Sequence, residues 1–149
     1  MLRIALRYGL WMALGFIGFF FFMHILGLSR LYWLRVFNGV IQATFIWYAL
    51  RAWYREHPDR IENYASGVAV GMGATFVGVV PFMIVIAIFF AFNPEFMYTI
   101  QQKAHLSYSL DPITASSVIM MEGTCIGLIL SYIQVRVIEM MYERRQGGN

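Results

Sequence analysis

Residues 68–92 read VAVGMGATFVGVVPFMIVIAIFFAF, an unbroken run without one charged side chain. A helix rises 1.5 Å per residue, so about 20 residues cross a ~30 Å hydrocarbon core, and this run exceeds that length. It is too long for a membrane strand, and its apolar residues are continuous rather than alternating. In water a helix apolar on every side would have nowhere to hide. The run is therefore read as a transmembrane helix, and the rest of the chain is read around it.

Three more stretches have the same character: Tyr8 to Leu28, Leu31 to Leu50 and Ile113 to Val135. With 68–92 they predict an all-α integral membrane four-helix bundle, a single domain filling residues 1–149, with spans at about 8–28, 31–50, 68–92 and 113–135. Composition agrees: the chain is 60% hydrophobic and only 13% charged, with a mean hydropathy of +0.62. Its 149 residues leave no room for a separate soluble domain.

Counting Lys and Arg on alternate joints gives the orientation. Arg3, Arg7, Arg51, Arg55, Arg60, Arg136, Arg144 and Arg145 fall on one side, and only Arg30, Arg35 and Lys103 on the other. The rule that cytoplasmic joints are positive then puts both termini in the cytoplasm, N-in and C-in. Ser29 and Arg30 become a tight external hairpin, 52–67 a cytoplasmic joint and 93–111 an outward one. The net charge of +3 lies at span ends, where topology accounts for it, so no nucleic-acid partner is expected. The first run is too long for the ~7 to 15 apolar residues of a signal peptide, so it reads as a retained span.

The joints carry helix punctuation. Asp111-Pro112 supplies a capping carboxylate and a first-turn proline ahead of the last span. Asn93-Pro94-Glu95 repeats that device and predicts a short interfacial helix in the outer joint, running to about His105 with Phe96, Met97, Ile100 and Ala104 on one face. Asp59 and Glu62 have the spacing of a capping box opening the third span. Within the spans, Gly67 and Gly71, and Gly123, Gly127 and Ser131, form small-residue stripes that let helices approach closely. Phe16, Phe19, Phe20, Phe21 and Phe22 read as bulk turned to lipid or a partner, and Pro81 as a kink in the third span.

Glu122 is the residue on which function turns. Ten residues beyond Pro112, it lies roughly 15 Å into the membrane, where a charged, unpaired carboxylate costs several kcal/mol. Arg35, Asn38 and Gln42, spaced i, i+3, i+7, share one face of the second span, and Asn38 and Gln42 reach the depth of Glu122. These four predict an intramembrane polar cluster with Glu122 tucked inward. One reading is a hydrogen-bonded clamp between the second and fourth spans; the other is a protonatable transport site.

No phosphate loop, HExxH, CxxC or nucleophile with a base occurs, so no enzyme, cofactor or metal is expected. His24 and His105 could meet at the outer face, but their spacing is not that of a metal or haem site. Cys125 stands alone inside the last span.

The chain resembles a family of small four-span bacterial inner-membrane proteins built on a domain of unknown function. The resemblance lies in the tight first hairpin, the Gly-rich third span, the Phe92-Asn93-Pro94-Glu95-Phe96 segment and the progression Asp111-Pro112, Glu122-Gly123, Gly127-Leu128-Ile129. The family carries no established activity or catalytic residues, so the resemblance implies bacterial membrane residence and little else. The expected role is a non-catalytic accessory or scaffold subunit, a homo-oligomer or part of a larger membrane complex in the lipid bilayer. The alternative is a small proton-coupled transporter or channel using Glu122.

Overall fold

In a computed structural model the described residues are 1–27, 36–58, 63–103 and 111–146. They form five helices: α1 (Leu2–Ile25), α2 (Val36–Glu56), α3 (Tyr64–Phe92), α4 (Pro94–Lys103) and α5 (Pro112–Gln146). No strand occurs among them, so the all-α class holds. Three helices, α1, α3 and α5, are long and apolar enough to cross a membrane. The expected fourth, α2, has the length, but Asn38, Gln42, Arg51, Arg55 and Glu56 leave its described residues more polar.

The helices overrun the apolar limits read from sequence. α1 begins at Leu2 and takes in Arg3 and Arg7; α2 continues to Glu56 and α5 to Gln146. Once a helix is nucleated, adding a residue gains a hydrogen bond for each pair of dihedrals ordered, so helices do not stop where hydrophobicity does. Their ends are set by local chemistry. Gly27, at φ 69°, adopts the left-handed conformation that a side chain disfavours, just past the end of α1. The N-cap of α3 is Asn63, whose side chain accepts the Ser66 N–H at 3.2 Å. The capping box expected from Asp59 and Glu62 lies outside the described residues. At α5, Asp111 accepts the Thr114 N–H at 3.2 Å and the Thr114 hydroxyl as well. α4 follows Asn93, whose side-chain amide donates to the Phe89 carbonyl at 3.0 Å; His105 and the external hairpin lie outside the described residues.

α3 is the axis of the molecule, touching α1, α2, α5 and α4, while α2 also contacts α1 and α5. Contacts along α1 and α3 rise together in number: Ala5 meets Gly73, Met12 meets Gly78, Phe16 meets Phe82 and Phe20 meets Phe89. Those two helices are therefore parallel. Contacts between α3 and α5 run oppositely, from Val79 with Gly123 to Gly67 with Val135, and α2 follows α5. The Leu2 end of α1, the Glu56 end of α2, the Tyr64 end of α3 and the Arg144 end of α5 thus share one end of the molecule.

The phenylalanines of α1 divide. Phe16 is buried against Phe82 with ring centroids 5.3 Å apart, and Phe20 stands edge-on to Phe89 at 5.1 Å; Phe21 and Phe22 are exposed. Phe16 and Phe20 therefore belong to the interior, a correction to the outward reading of all five. Phe96 of α4 joins them, 5.4 Å from Phe89, and pins the short helix to the end of α3. His24 closes the same cluster, edge-on to Phe89 at 5.0 Å and to Phe96 at 5.6 Å.

Candidate functional site

The junction of α2, α3 and α5 carries the buried polar chemistry. On α5, Ser116, Gly127, Ser131 and Val135 form the buried stripe, with Gly123 half-buried on it. A helix face made of glycine and serine lets the backbone of α5 come within reach of side chains that a larger residue would hold away. The consequence is direct at Gly127, where an added Cβ would overlap Thr75 and lie 2.7 Å from Gln42 Nε2. At Gly71 it would overlap Ser131 and lie 3.3 Å from Ile46; at Gly67 it would overlap the Tyr54 hydroxyl and lie 2.8 Å from Val135. At Gly123 the neighbour is Val79, at 3.2 Å. All five expected packing residues, Gly67, Gly71, Gly123, Gly127 and Ser131, thus lie along one seam.

Two glutamines tie α2 to α5. Gln42, 2% exposed, donates from Nε2 to the Gly123 carbonyl at 2.8 Å. Gln134 donates in return from α5 to the Ala43 carbonyl of α2 at 2.9 Å. Each acceptor is a mid-helix carbonyl, whose second lone pair is available to a neighbour. Interhelical bonds of this kind contribute roughly 0.6 to 2 kcal/mol each.

Glu122 is placed differently from expectation. It is exposed on α5 rather than tucked between helices, and the Gln42 donor that was to meet it goes to the adjoining Gly123 backbone. The reason is rotational. Gly123 turns its carbonyl toward α2, so its neighbour is carried round the helix by about 100°. Glu122 nevertheless lines a cavity of about 50 Å³ together with Asn38, Gln42, Gly123, Phe16 and Phe82. Three members of the expected cluster are thus brought to one cavity, and the fourth, Arg35, lies outside the described residues. Pro81 sits inside α3, which continues as helix on both sides of it.

A second cavity of about 50 Å³ lies toward the end shared by the termini, lined by Trp47, Arg51, Tyr54, Ile138, Met141 and Tyr142. Beside it Glu139, 8% exposed, pairs with Arg136 at 3.1 Å. Tyr64 donates to the Tyr132 carbonyl at 2.9 Å, and His57 stacks on Trp53 with centroids 3.8 Å apart. Among the described residues no group of three His, Cys, Asp or Glu side chains gathers as metal ligands. At the opposite end, hydrogen bonds from the Thr114 hydroxyl and N–H hold the Asp111 carboxyl below its ordinary value.

Sequence reasoning did not single out Gln134 or Thr75, and it read Tyr54 only as an interfacial aromatic. Gln134 was findable: it stands three residues beyond Ser131 and seven beyond Gly127, on the small-residue stripe. Thr75 had a weaker signal, as the lone hydroxyl of the most apolar span. Tyr54 had none, since an aromatic near a span end reads as an interfacial anchor.

The chain matches no family model, and no curated protein or solved structure is significantly similar to it.

Proposed function

We propose that this chain is a non-catalytic multi-pass protein of the bacterial inner membrane, with α1, α2, α3 and α5 as four spans and both termini cytoplasmic. Its role is that of an accessory or scaffold subunit that packs against a second copy of itself or a larger membrane complex. Arg3, Arg7, Arg51, Arg55, Arg136 and Arg144 belong to the helix ends that lie together, which supports the orientation. The polarity of α2 is compatible with a span, because Gln42 is buried with its donor bonded to α5. The resemblance read from sequence supports the bacterial setting.

The outward side of α5 carries the scaffold reading. Only 11% of its most apolar window is buried, against 33% for α3, and its exposed face bears Val118, Met121, Leu128, Ile129, Tyr132 and Ile133 around Glu122. A broad apolar face left outward by the bundle suits cover by another membrane helix.

Cys125, exposed on that face, supplies the test. A maleimide-benzophenone attached to it in native membranes and then illuminated is expected to give a covalent adduct, first to be checked for twice the chain mass. Labelled chain that yields only lipid adducts overturns the reading.

A second reading, a proton-coupled transporter or channel, is favoured by the position of Glu122 on a cavity with Asn38 and Gln42. There Glu122→Gln abolishes pH-driven flux in proteoliposomes. In the scaffold reading the substitution leaves folding and assembly nearly unchanged.

A further inference from the structure

The cavity at the end shared by the termini is walled by two helices, with Trp47, Arg51 and Tyr54 from α2 and Ile138, Met141 and Tyr142 from α5. The spacings i, i+4, i+7 and i, i+3, i+4 put each trio on one face of its helix. The apolar runs read from sequence stop at Leu50 and Val135, so the cavity straddles the level where hydrocarbon gives way to headgroups. At 1.5 Å per residue, Trp47 lies about 4 Å inside that limit and Tyr142 about 10 Å outside it. Lipid phosphates lie in this zone, since headgroups add roughly 5–7 Å to each side of a ~30 Å core.

The lining is one-sided in its chemistry. The Arg51 guanidinium and the Trp47 indole N–H only donate hydrogen bonds, the Tyr142 hydroxyl can donate, and no carboxylate or side-chain amide lines the cavity. The Tyr54 hydroxyl lies against Gly67 and takes no part. Among the described residues no carboxylate pairs with Arg51, and Glu139, beside the cavity, is engaged by Arg136 at 3.1 Å. Topology asks only that arginine be on this side of the membrane; it does not ask that one stand between two helices with aromatic walls. Ile138 and Met141 supply the apolar part of the lining. At roughly 10–15 Å³ per water, the cavity of about 50 Å³ holds about four waters, the bulk of one phosphate group and less than a sugar or a nucleotide needs.

We propose that this cavity binds the phosphate of an anionic phospholipid of the cytoplasmic leaflet, with Arg51 as its charge partner, Trp47 and Tyr142 as flanking donors, and the acyl chains leaving past Ile138 into the hydrocarbon. The proposal rests on the membrane reading with this end cytoplasmic, and adds a lipid partner to it. A basic pocket between membrane helices on that side is the setting in which such headgroups are held. An anionic lipid is selected over a zwitterionic one because a choline or ethanolamine group would bring a second cation to a lining that offers it no carboxylate. A lipid seated there touches α2 and α5 together, so it closes the helix pair at the end beyond the Gln42 and Gln134 bonds.

The full chain in mild detergent, titrated with phosphatidylglycerol and with phosphatidylcholine of the same acyl chains, is read by native mass spectrometry for bound lipid. Wild-type protein is expected to hold one phosphatidylglycerol per chain about tenfold more tightly than phosphatidylcholine, the difference one charged hydrogen-bond partner makes. Arg51→Gln is expected to lose that preference with unchanged helix content. Arg55→Gln, one turn further along α2 and outside the cavity, is expected to stay close to wild type. Should Arg51→Gln lose helix content, Tyr142→Phe, which removes one oxygen, carries the comparison with a few-fold weakening. Equal loss in Arg51→Gln and Arg55→Gln is the mark of diffuse surface charge and overturns the site, as does equal affinity of wild-type protein for the two lipids. Glycerophosphoglycerol, the same headgroup without chains, overturns the lipid assignment in favour of a soluble phosphate if it displaces phosphatidylglycerol at equal concentration. Protein that alkaline washing releases from native membranes overturns the membrane reading itself, whereas protein that stays but shows no lipid preference overturns only the site.

Discussion

Gln42 and Gln134 lie on opposite sides of one helix contact and each donates to the backbone of the other's helix, Gln42 to Gly123 and Gln134 to Ala43. The two bonds are reciprocal, so they resist sliding of α2 along α5 in either direction. A single bond can swing about its acceptor; two, set apart along the helix, fix register.

Gln42→Leu and Gln134→Leu are each expected to lower stability by about 0.6–2 kcal/mol, the range for interhelical bonds, with no further loss because the carbonyl left behind keeps its own helical partner. Denaturation in mixed micelles read by circular dichroism measures this. If the bonds act together on register, the double variant loses less than the sum of the singles.

Alanine at Gly127 or Gly71 is expected to cost about 1–3 kcal/mol, since its Cβ would force Thr75 and Gln42, or Ser131, to retreat from a filled seam. Gly18→Ala is the contrasting case, with nothing within 4 Å of the added atom. There the gain in helix propensity, up to about 1 kcal/mol, is expected to show as a modest rise in stability. The same unfolding assay separates the two outcomes by sign.

Asp111 sets a pH dependence at the start of α5. Its carboxyl is held below the ordinary 3.8 by the hydrogen bonds from Thr114, so the folded state binds that proton less readily than the unfolded chain. The stabilisation is complete above the ordinary value and is lost as pH falls through the lower folded one. Amide exchange at Thr114 and Ala115 is expected to quicken below pH 3.8 in wild type. In Asp111→Ala it is expected to be fast at every pH.

Phe96→Ala tests how α4 is held. α4 touches α3 and is anchored there by Phe96 against Phe89 and Phe90. Losing that ring is expected to raise amide exchange across α4 while leaving α3 protected, because the core beneath is shared with α1, α2 and α5. Equal deprotection of both helices would contradict this attachment.

Much of this was readable along the chain. Residues 68–92 could be little other than a long buried helix, and Asp111-Pro112 and Asn93-Pro94 marked where helices begin, because capping depends on residues within one turn. The stripe Gly123, Gly127, Ser131 announced a close contact for the same reason: spacing along one helix is a local property. Its partner was not local. Nothing in the order of residues tells whether Gly127 meets Thr75 or a second copy of itself.

What the sequence determined by itself is the all-α class, the length and apolar character of the helices, and the faces on which small and polar residues stand. The tertiary structure alone decided which faces meet and at what rotation. Glu122 shows the reason: turning α5 so that Gly123 receives the Gln42 amide places its neighbour on the outside, and rotation about a helix axis is settled by the summed packing of the whole contact, not by any one residue.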